Sequence, residues 1–473
     1  MNAKQIAFTG QASSVEELAG APAAFINATV DAAGAISARP GITTYSGFPS
    51  TFPSTTAVVM IGVLGDDIVY VTEDRKVWAW HSGTGAVSER STSTATTLVA
   101  GTERPTYAVN RNLMIIAGGG APQKVSAGSL VSERLGGSPS NWRDVAFITR
   151  RAVGVVADES GLFEWSDAGE PESYNIAVEL AEAEARPDPL RAGKETAREY
   201  WAFGSRTLQI YTPDPDETFA PQVTLDVGCG AARSPIRREA EFAWLDDLRR
   251  FVWTTGRAVS KEDVISSPAV SRTVEGFTTV SDCWGYREKI GNADSFVWVF
   301  PTEGRALAYD TESDTWSERH CWSGGQWIRY CPTAYCYWPE RNLHIVGLSD
   351  GRLAVLSREA YTDLDHDLKW LARSGYDDRG LPMLKEPLEL QVRVRRGFAS
   401  SSSSAIRVRW RDDLGPFSAP VDVALGTAGD HDHTVPVRPI GTPYRARQYE
   451  LSGTAADATS VAKVTEVYEE LDS

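Results

Sequence analysis

The sequence is poor in the residues that most often carry catalysis or metal. It has only six histidines and five cysteines in 473 residues. The cysteines, Cys229, Cys283, Cys321, Cys331 and Cys336, are odd in number and scattered, which excludes a dense disulfide framework and makes a reducing compartment the default. His320, Cys321, Cys331, Cys336 and His344 lie in one stretch, but without the short Cys-x2-Cys pairs of a zinc site. Interstrand thiols are the expected reading there, and no metal or cofactor is predicted. The Asp430 to His433 run reads as a solvated loop tip. No nucleophile elbow, zincin, phosphate-loop or dinucleotide fingerprint occurs in a supporting context. Long apolar runs are also missing. The opening MNAKQIAFTGQASS has no apolar signal core, and the run Ala57 to Leu64 is too short to span a bilayer. A chain without an export signal or membrane anchor is expected.

Positive charge is in deficit. Lys and Arg total 47 against 63 Asp and Glu, a formal net charge of −16. Such a surface repels nucleic acid over most of its area. Hydrophobic residues at 42% and charged residues at 23% are ordinary globular values. The length suffices for a large core without staples, and aromatic residues reach 10%, including 15 Trp.

What the chain does contain is a repeat. Seven segments read as apolar strand, tight turn, apolar strand, starting at Ile68, Leu113, Ala152, Tyr200, Phe251, Phe296 and Leu343. They recur at about 46 residues, a propeller-blade period. Glycine or a polar cluster marks each turn; three turns share Gly-Arg-apolar, at Gly256, Gly304 and Gly351. Ser-Glu-Arg triplets at Ser88, Ser132 and Ser317 follow hairpins and read as later strands of the same blades. One hairpin cannot bury both its faces, whereas radially packed blades can. The expected fold is all-β: a propeller of about seven blades over 57–360, then a platform-like β sandwich over 361–473. Residues 1–56 are too few to fold alone, and their strands are expected to pair with that C-terminal domain.

Two features carry the functional expectations. The stretch Ala177 to Ala185 has helix-forming composition and then meets Pro187 and Pro189. It reads as an insertion, either a solvated acidic connector or a partner-contacting element. With the 213–222 stretch it supplies the candidate channel or partner residues Glu182, Glu184, Asp214 and Asp216. In the C-terminal region Leu388 to Arg396 and Ile406 to Arg411 alternate cleanly. Read as paired strands with a Ser400 to Ser404 loop, they put Arg393, Arg395, Arg407, Arg409 and Arg411 on one face. That face is a solvated one with cross-strand acids, a dock for an acidic neighbouring subunit or adaptor, or a contact to DNA phosphate. A propeller glycosidase would need paired carboxylates. The acids are scattered over turns, and Asp310 to Trp316 and Trp165 to Gly169 only faintly match the structural Asp-box turns of sialidases. No catalytic residue is predicted.

The stretch Asn27 to Ile42, NATVDAAGAISARPGI, resembles the N-terminal region of the tail hub, or nozzle, proteins of short-tailed bacteriophages, some of which are called packaged DNA stabilisation proteins. GLFEWSDAGEPESYN from Gly161 is similar to a blade turn of that family. REAYTDLDHDLKW from Arg358, followed by LELQVRVRRG from Leu388, resembles the family's exit from its propeller, with Leu364 in place of a commoner glycine. YRARQYELSG from Tyr444 resembles a late strand. The resemblance implies a non-enzymatic virion protein of the tail, assembled in the host cytoplasm. It implies a six-fold ring below the head–tail adaptor that extends the DNA channel and retains the double-stranded genome sterically. Tail fibres, spikes or a needle would be its further partners. The alternatives are a propeller that binds host glycans and, behind it, a glycoside hydrolase.

Overall fold

The computed structural model describes residues 2–8, 25–31, 34–91, 98–158, 160–174, 180–182, 188–214, 218–256, 258–291, 293–378, 383–396, 405–424, 433–438, 440–454 and 459–471. Seven small antiparallel meanders follow one another along the chain. The first runs through Val58–Leu64, Asp67–Thr72, Val77–Trp80 and Val87–Glu89. The second to fourth open with Thr106–Asn110, Trp142–Ile148 and Leu190–Glu195, and the fifth to seventh with Ile236–Arg238, Trp284–Ile290 and Ala334–Trp338. These opening strands are innermost. That of the first blade lies against both the second and the seventh, so the ring closes. The fold is an all-β propeller.

Large side chains explain why it holds. Each gap between neighbouring blades has its own apolar cluster. Trp80 and Trp338 fill the gap between the seventh and first, Phe163, Tyr200 and Phe219 that between the third and fourth, and Phe251 and Trp298 that between the fifth and sixth. Each such ring buries about 150–250 Å², an area that a lone hairpin leaves wet. The Ser-Glu-Arg triplets fall on the fourth strands of the first, second and sixth blades, with Arg90 just past the end of the first. Asp310 caps its turn, accepting from the Glu312 and Ser313 amides at 3.1 and 3.0 Å.

Several elements differ from expectation. Among the described residues the fifth blade has three strands, and the segment from Phe251 returns only as an isolated antiparallel bridge between Val252 and Val264. A helix, α1 (Pro268–Glu275), follows them. Ser267 caps it by accepting from the Val270 amide, Pro268 opens it, and Ala269, Val270 and Val274 are buried on its inner face. The described part of the acidic stretch at 177–185 is not helical. Leu180–Glu182 is instead the outermost strand of the third blade, where Leu162–Trp165 offers an unpaired edge. Cys321 and Cys331 form a disulfide rather than remaining thiols, while Cys229, Cys283 and Cys336 are free and buried.

The N-terminal strands divide their pairing. Asn2–Gln5 and Ile36–Ala38 pair with the long strand Thr459–Glu470 of the C-terminal region. Phe25–Ile26 bridges Trp370–Arg373 to the sixth blade. Gly41–Thr43, however, is the fourth strand of the seventh blade, paired with Leu353–Ser357. At Gly41 a Cβ would fall 2.4 Å from the Ala360 carbonyl oxygen, so only glycine fits.

The C-terminal region is a sandwich. One sheet contains Lys385–Arg396, Thr459–Glu470 and His433–Val437, and the other contains Ala405–Asp412, Arg447–Gly453, Val421–Ala424 and Trp370–Arg373. Leu390, Val392 and Val394 of the first face Ile406, Val408, Tyr449 and Leu451 of the second.

Candidate functional site

The five predicted arginines do not share one face. Lys385–Arg396, which carries Arg393 and Arg395, pairs with Thr459–Glu470 and His433–Val437. Ala405–Asp412, which carries Arg407, Arg409 and Arg411, pairs with Arg447–Gly453 and Val421–Ala424. The two strands meet across the core instead of along an edge. Their alternation holds for each separately, and a sandwich sends the two polar faces to opposite surfaces. The Ser400 to Ser404 loop lies outside the described residues.

Arg407, Arg409 and Arg411 form a patch with residues from other strands. Arg407 stands directly opposite Asp422, with Nε donating at 3.2 Å, and both side chains are exposed. Arg409 stands opposite Glu450 and shares it with Arg373. Arg409 Nε donates to Oε1 and Arg373 Nε to Oε2, each at 2.8 Å. Arg411 faces Gln448 and donates to its Oε1 at 2.6 Å, so no acid stands across from it. The ring of Phe417 lies 5.4, 5.0 and 4.9 Å from the guanidinium carbons of Arg373, Arg409 and Arg411. Lys369 lies over Trp322 at 3.6 Å, and burial, with the nearby charge of Arg407, pushes its ammonium below the ordinary lysine range. Among the described residues, five cations thus meet two carboxylates, Asp422 and Glu450. Lys369, Arg373 and Phe417 are absent from the sequence-based set because alternation within one strand carries no information about the strand beside it.

The residues that carry the N-terminal resemblance meet at a buried junction. Arg39 uses all five of its N–H donors. Nη1 and Nη2 hold the Asp363 carboxylate at 3.0 and 2.6 Å, and Nε donates to Asn27 Oδ1 at 2.9 Å. The remaining two go to the carbonyls of Pro40 and His320 at 2.8 and 3.0 Å. Burial alone would lower the pKa of Arg39; the Asp363 charge outweighs it and the guanidinium is raised. Asn27 Nδ2 in turn donates to the carbonyls of His320 and Lys369. Leu364, next to Asp363, has φ +57, the left-handed region in which glycine is at ease.

Of the predicted acidic residues, Glu182 and Asp214 lie at outer strands, away from the propeller axis. Glu182 ends the outermost strand of the third blade. Asp214 is exposed after the third strand of the fourth, its amide donating to the Thr218 carbonyl. Glu184 and Asp216 lie outside the described residues, as does the Asp430 to Asp432 run. Near the axis Glu103 accepts from Arg143 Nε at 2.9 Å, and Asp144 is held by Lys194 at 2.8 Å.

No family model matches the chain, nor does any curated protein. Among solved structures the chain is similar to BamB from Moraxella catarrhalis, with 10% identity, TM-score 0.41, and coverage of 76% of this chain and 98% of that one. It is similar to the computationally designed Ika8 protein, with 10% identity, TM-score 0.41 and coverage of 67% and 99%. KlHsv2 with loop 6CD replaced by a Gly-Ser linker gives 10% identity, TM-score 0.36 and coverage of 62% and 96%. Likeness at this level carries no function.

Proposed function

We propose that this chain is a tail hub, or nozzle, subunit of a short-tailed bacteriophage, a non-enzymatic building block of the virion. Six copies would form a ring below the head–tail adaptor, extend the DNA channel and dock fibres, spikes or a needle. The observation that carries this reading is the surplus of cations around Phe417 on a chain of net charge −16. A closed ring joins two different patches of neighbouring copies head to tail, and a local basic face on an otherwise acidic body is complementary to such a neighbour. The acidic remainder suits a passage through which duplex slides, since a Lys/Arg-lined wall would hold phosphate by counterion release. The buried Arg39–Asp363 junction supports the same reading, because it gives the residues behind the resemblance a shared structural task.

Images of the purified protein, alone and with its adaptor, test the proposal. A closed ring around an axial hole is expected. A monomer that stays monomeric with its adaptor overturns it.

A second reading is favoured by one observation. The hairpin Cys321–Ser323 and Gln326–Ile328 carries Trp322 and Trp327 with rings 4.8 Å apart, as a host-glycan-binding propeller would use. Retention on a glycan array, lost in Trp327→Ala, would support that reading; no retention would remove it.

A further inference from the structure

Four arginines converge at one end of the propeller axis, each from a different blade. Arg104 just precedes the innermost strand of the second blade. Arg143 and Arg191 are the second residues of those of the third and fourth, and Arg233 just precedes that of the fifth. Asp282 holds the equivalent place before the sixth. With Glu103 they line a cavity of about 390 Å³.

The cavity is short of negative charge. Of the two carboxylates among its described lining residues, Glu103 is engaged by Arg143 and lies 3.9 Å from Arg233 Nη2. Asp144 nearby is held by Lys194 at 2.8 Å and lies 3.8 Å from Arg233 Nη1, beyond hydrogen-bond reach. The guanidinium groups are fastened by backbone carbonyls. Arg233 donates through Nε to the Arg104 carbonyl at 3.0 Å and through Nη2 to that of Arg143 at 2.6 Å. Arg143 Nη1 donates to the Leu190 carbonyl at 2.8 Å. Arg104 donates to the Thr333 carbonyl and lies over the Trp284 ring at 4.6 Å. Burial, together with the Arg233 charge, pushes Arg104 down to about 9.

Three buried polar atoms are left over. Arg191 Nε and Arg233 Nη1 have no hydrogen-bond partner among the described residues, and neither does Asp282 Oδ1. The other oxygen of Asp282 accepts from the Thr302 amide at 2.8 Å. Orphaned buried donors are rare and costly.

We propose that this cavity binds a small phosphate dianion, either inorganic phosphate or the head of a phosphomonoester. Among the described lining residues, four guanidinium groups less two carboxylates leave a surplus that a dianion balances. Planar N–H forks suit phosphate oxygens, and the orphaned donors of Arg191 and Arg233 would take two of them. Asp282 Oδ1 supplies the one acceptor, for the P–OH of hydrogen phosphate or a hydroxyl of an ester. Because the arginines come from four consecutive blades, an occupied site ties those blades together.

The test uses the full chain, with calorimetric titration and thermal unfolding in potassium phosphate, glycerol 3-phosphate or succinate, against potassium chloride at equal ionic strength. Saturable binding of a phosphate compound below about 1 mM is expected, with a concentration-dependent rise in Tm. Arg191→Gln, which removes no described hydrogen bond and relieves an orphaned donor, should not lower the unliganded Tm and should weaken binding by about tenfold or more. Tighter binding of inorganic phosphate identifies the free ion as the occupant, and tighter binding of glycerol 3-phosphate identifies an ester. The proposal is overturned if neither phosphate compound binds saturably above the chloride control. It is equally overturned if succinate alone binds, or if Arg191→Gln and Arg104→Gln both bind as the parent does.

Discussion

Arg39 and Asp363 face each other across 324 residues of sequence with two hydrogen bonds and virtually no solvent on either side chain. One belongs to the strands that precede the propeller and the other to the segment that leaves it. The pair therefore fixes where the propeller ends and the sandwich begins.

Asp363→Asn leaves the Arg39 charge buried without its counter-ion, and the expected loss is about 3–5 kcal/mol of unfolding free energy. Replacing both partners by apolar residues, as in Arg39→Met with Asp363→Leu, should cost less than the single change. Denaturant unfolding of the three proteins checks the order. Equal losses from the single and double changes would show that the pair is not coupled.

Gly41→Ala drives a methyl group into the carbonyls of Ala360 and Thr362. The strand Gly41–Thr43 should leave the seventh blade, at a cost of about 3 kcal/mol. Limited proteolysis would then cut between Thr43 and Val58 in the variant well before the parent. An unchanged cleavage rate would mean that the blade does not depend on this strand.

His344 accounts for part of the acid sensitivity. Burial lowers its pKa below the usual value, partly offset by Glu288, and its Nδ1 lies 2.7 Å from the Tyr335 hydroxyl. The unfolded chain then takes up the proton at higher pH than the folded one. Stability is full above the unfolded value of about 6.5 and falls as pH drops toward the lower folded value. Tm measured between about pH 7.5 and pH 5 should decline less steeply in His344→Gln than in the parent.

The patch around Phe417 allows a test that separates folding from association. Arg407→Ser with Arg411→Ser removes two cations, one exposed and paired only with exposed Asp422, the other bonded to Gln448. Monomer stability should change by less than about 1 kcal/mol, whereas self-association or adaptor binding should weaken and lose much of its salt dependence. Sedimentation at two salt concentrations measures both. Association unaffected by the pair of changes would remove the patch from the interface.

The blades were legible because their strands are long, apolar and separated by glycine turns; Phe296 to Tyr309 is readable residue by residue. What escaped the sequence is what depends on distant partners. Gly41–Thr43 is three residues long, has no period to detect, and finds Leu356 far down the chain. The Gly-Arg-Ala echo at Gly256 reads as a returning strand, but the return shrinks to one bridge, Val252 to Val264, before α1 begins. The sandwich strands were visible as strands; their partners were not, since alternation gives a face and says nothing about which edge it joins. The arginines of the axial cavity are scattered singly, one in each of four blades, and only superposing the starts of the innermost strands would align them.

The strand Gly41–Thr43 also dictates an order of events during synthesis. It is made before any blade, yet its berth beside Leu353–Ser357 is made last. The nascent chain must therefore carry a loose clasp through the production of some three hundred residues. Circularisation becomes the slow, last step of the propeller itself, governed by the search of two remote segments for one another.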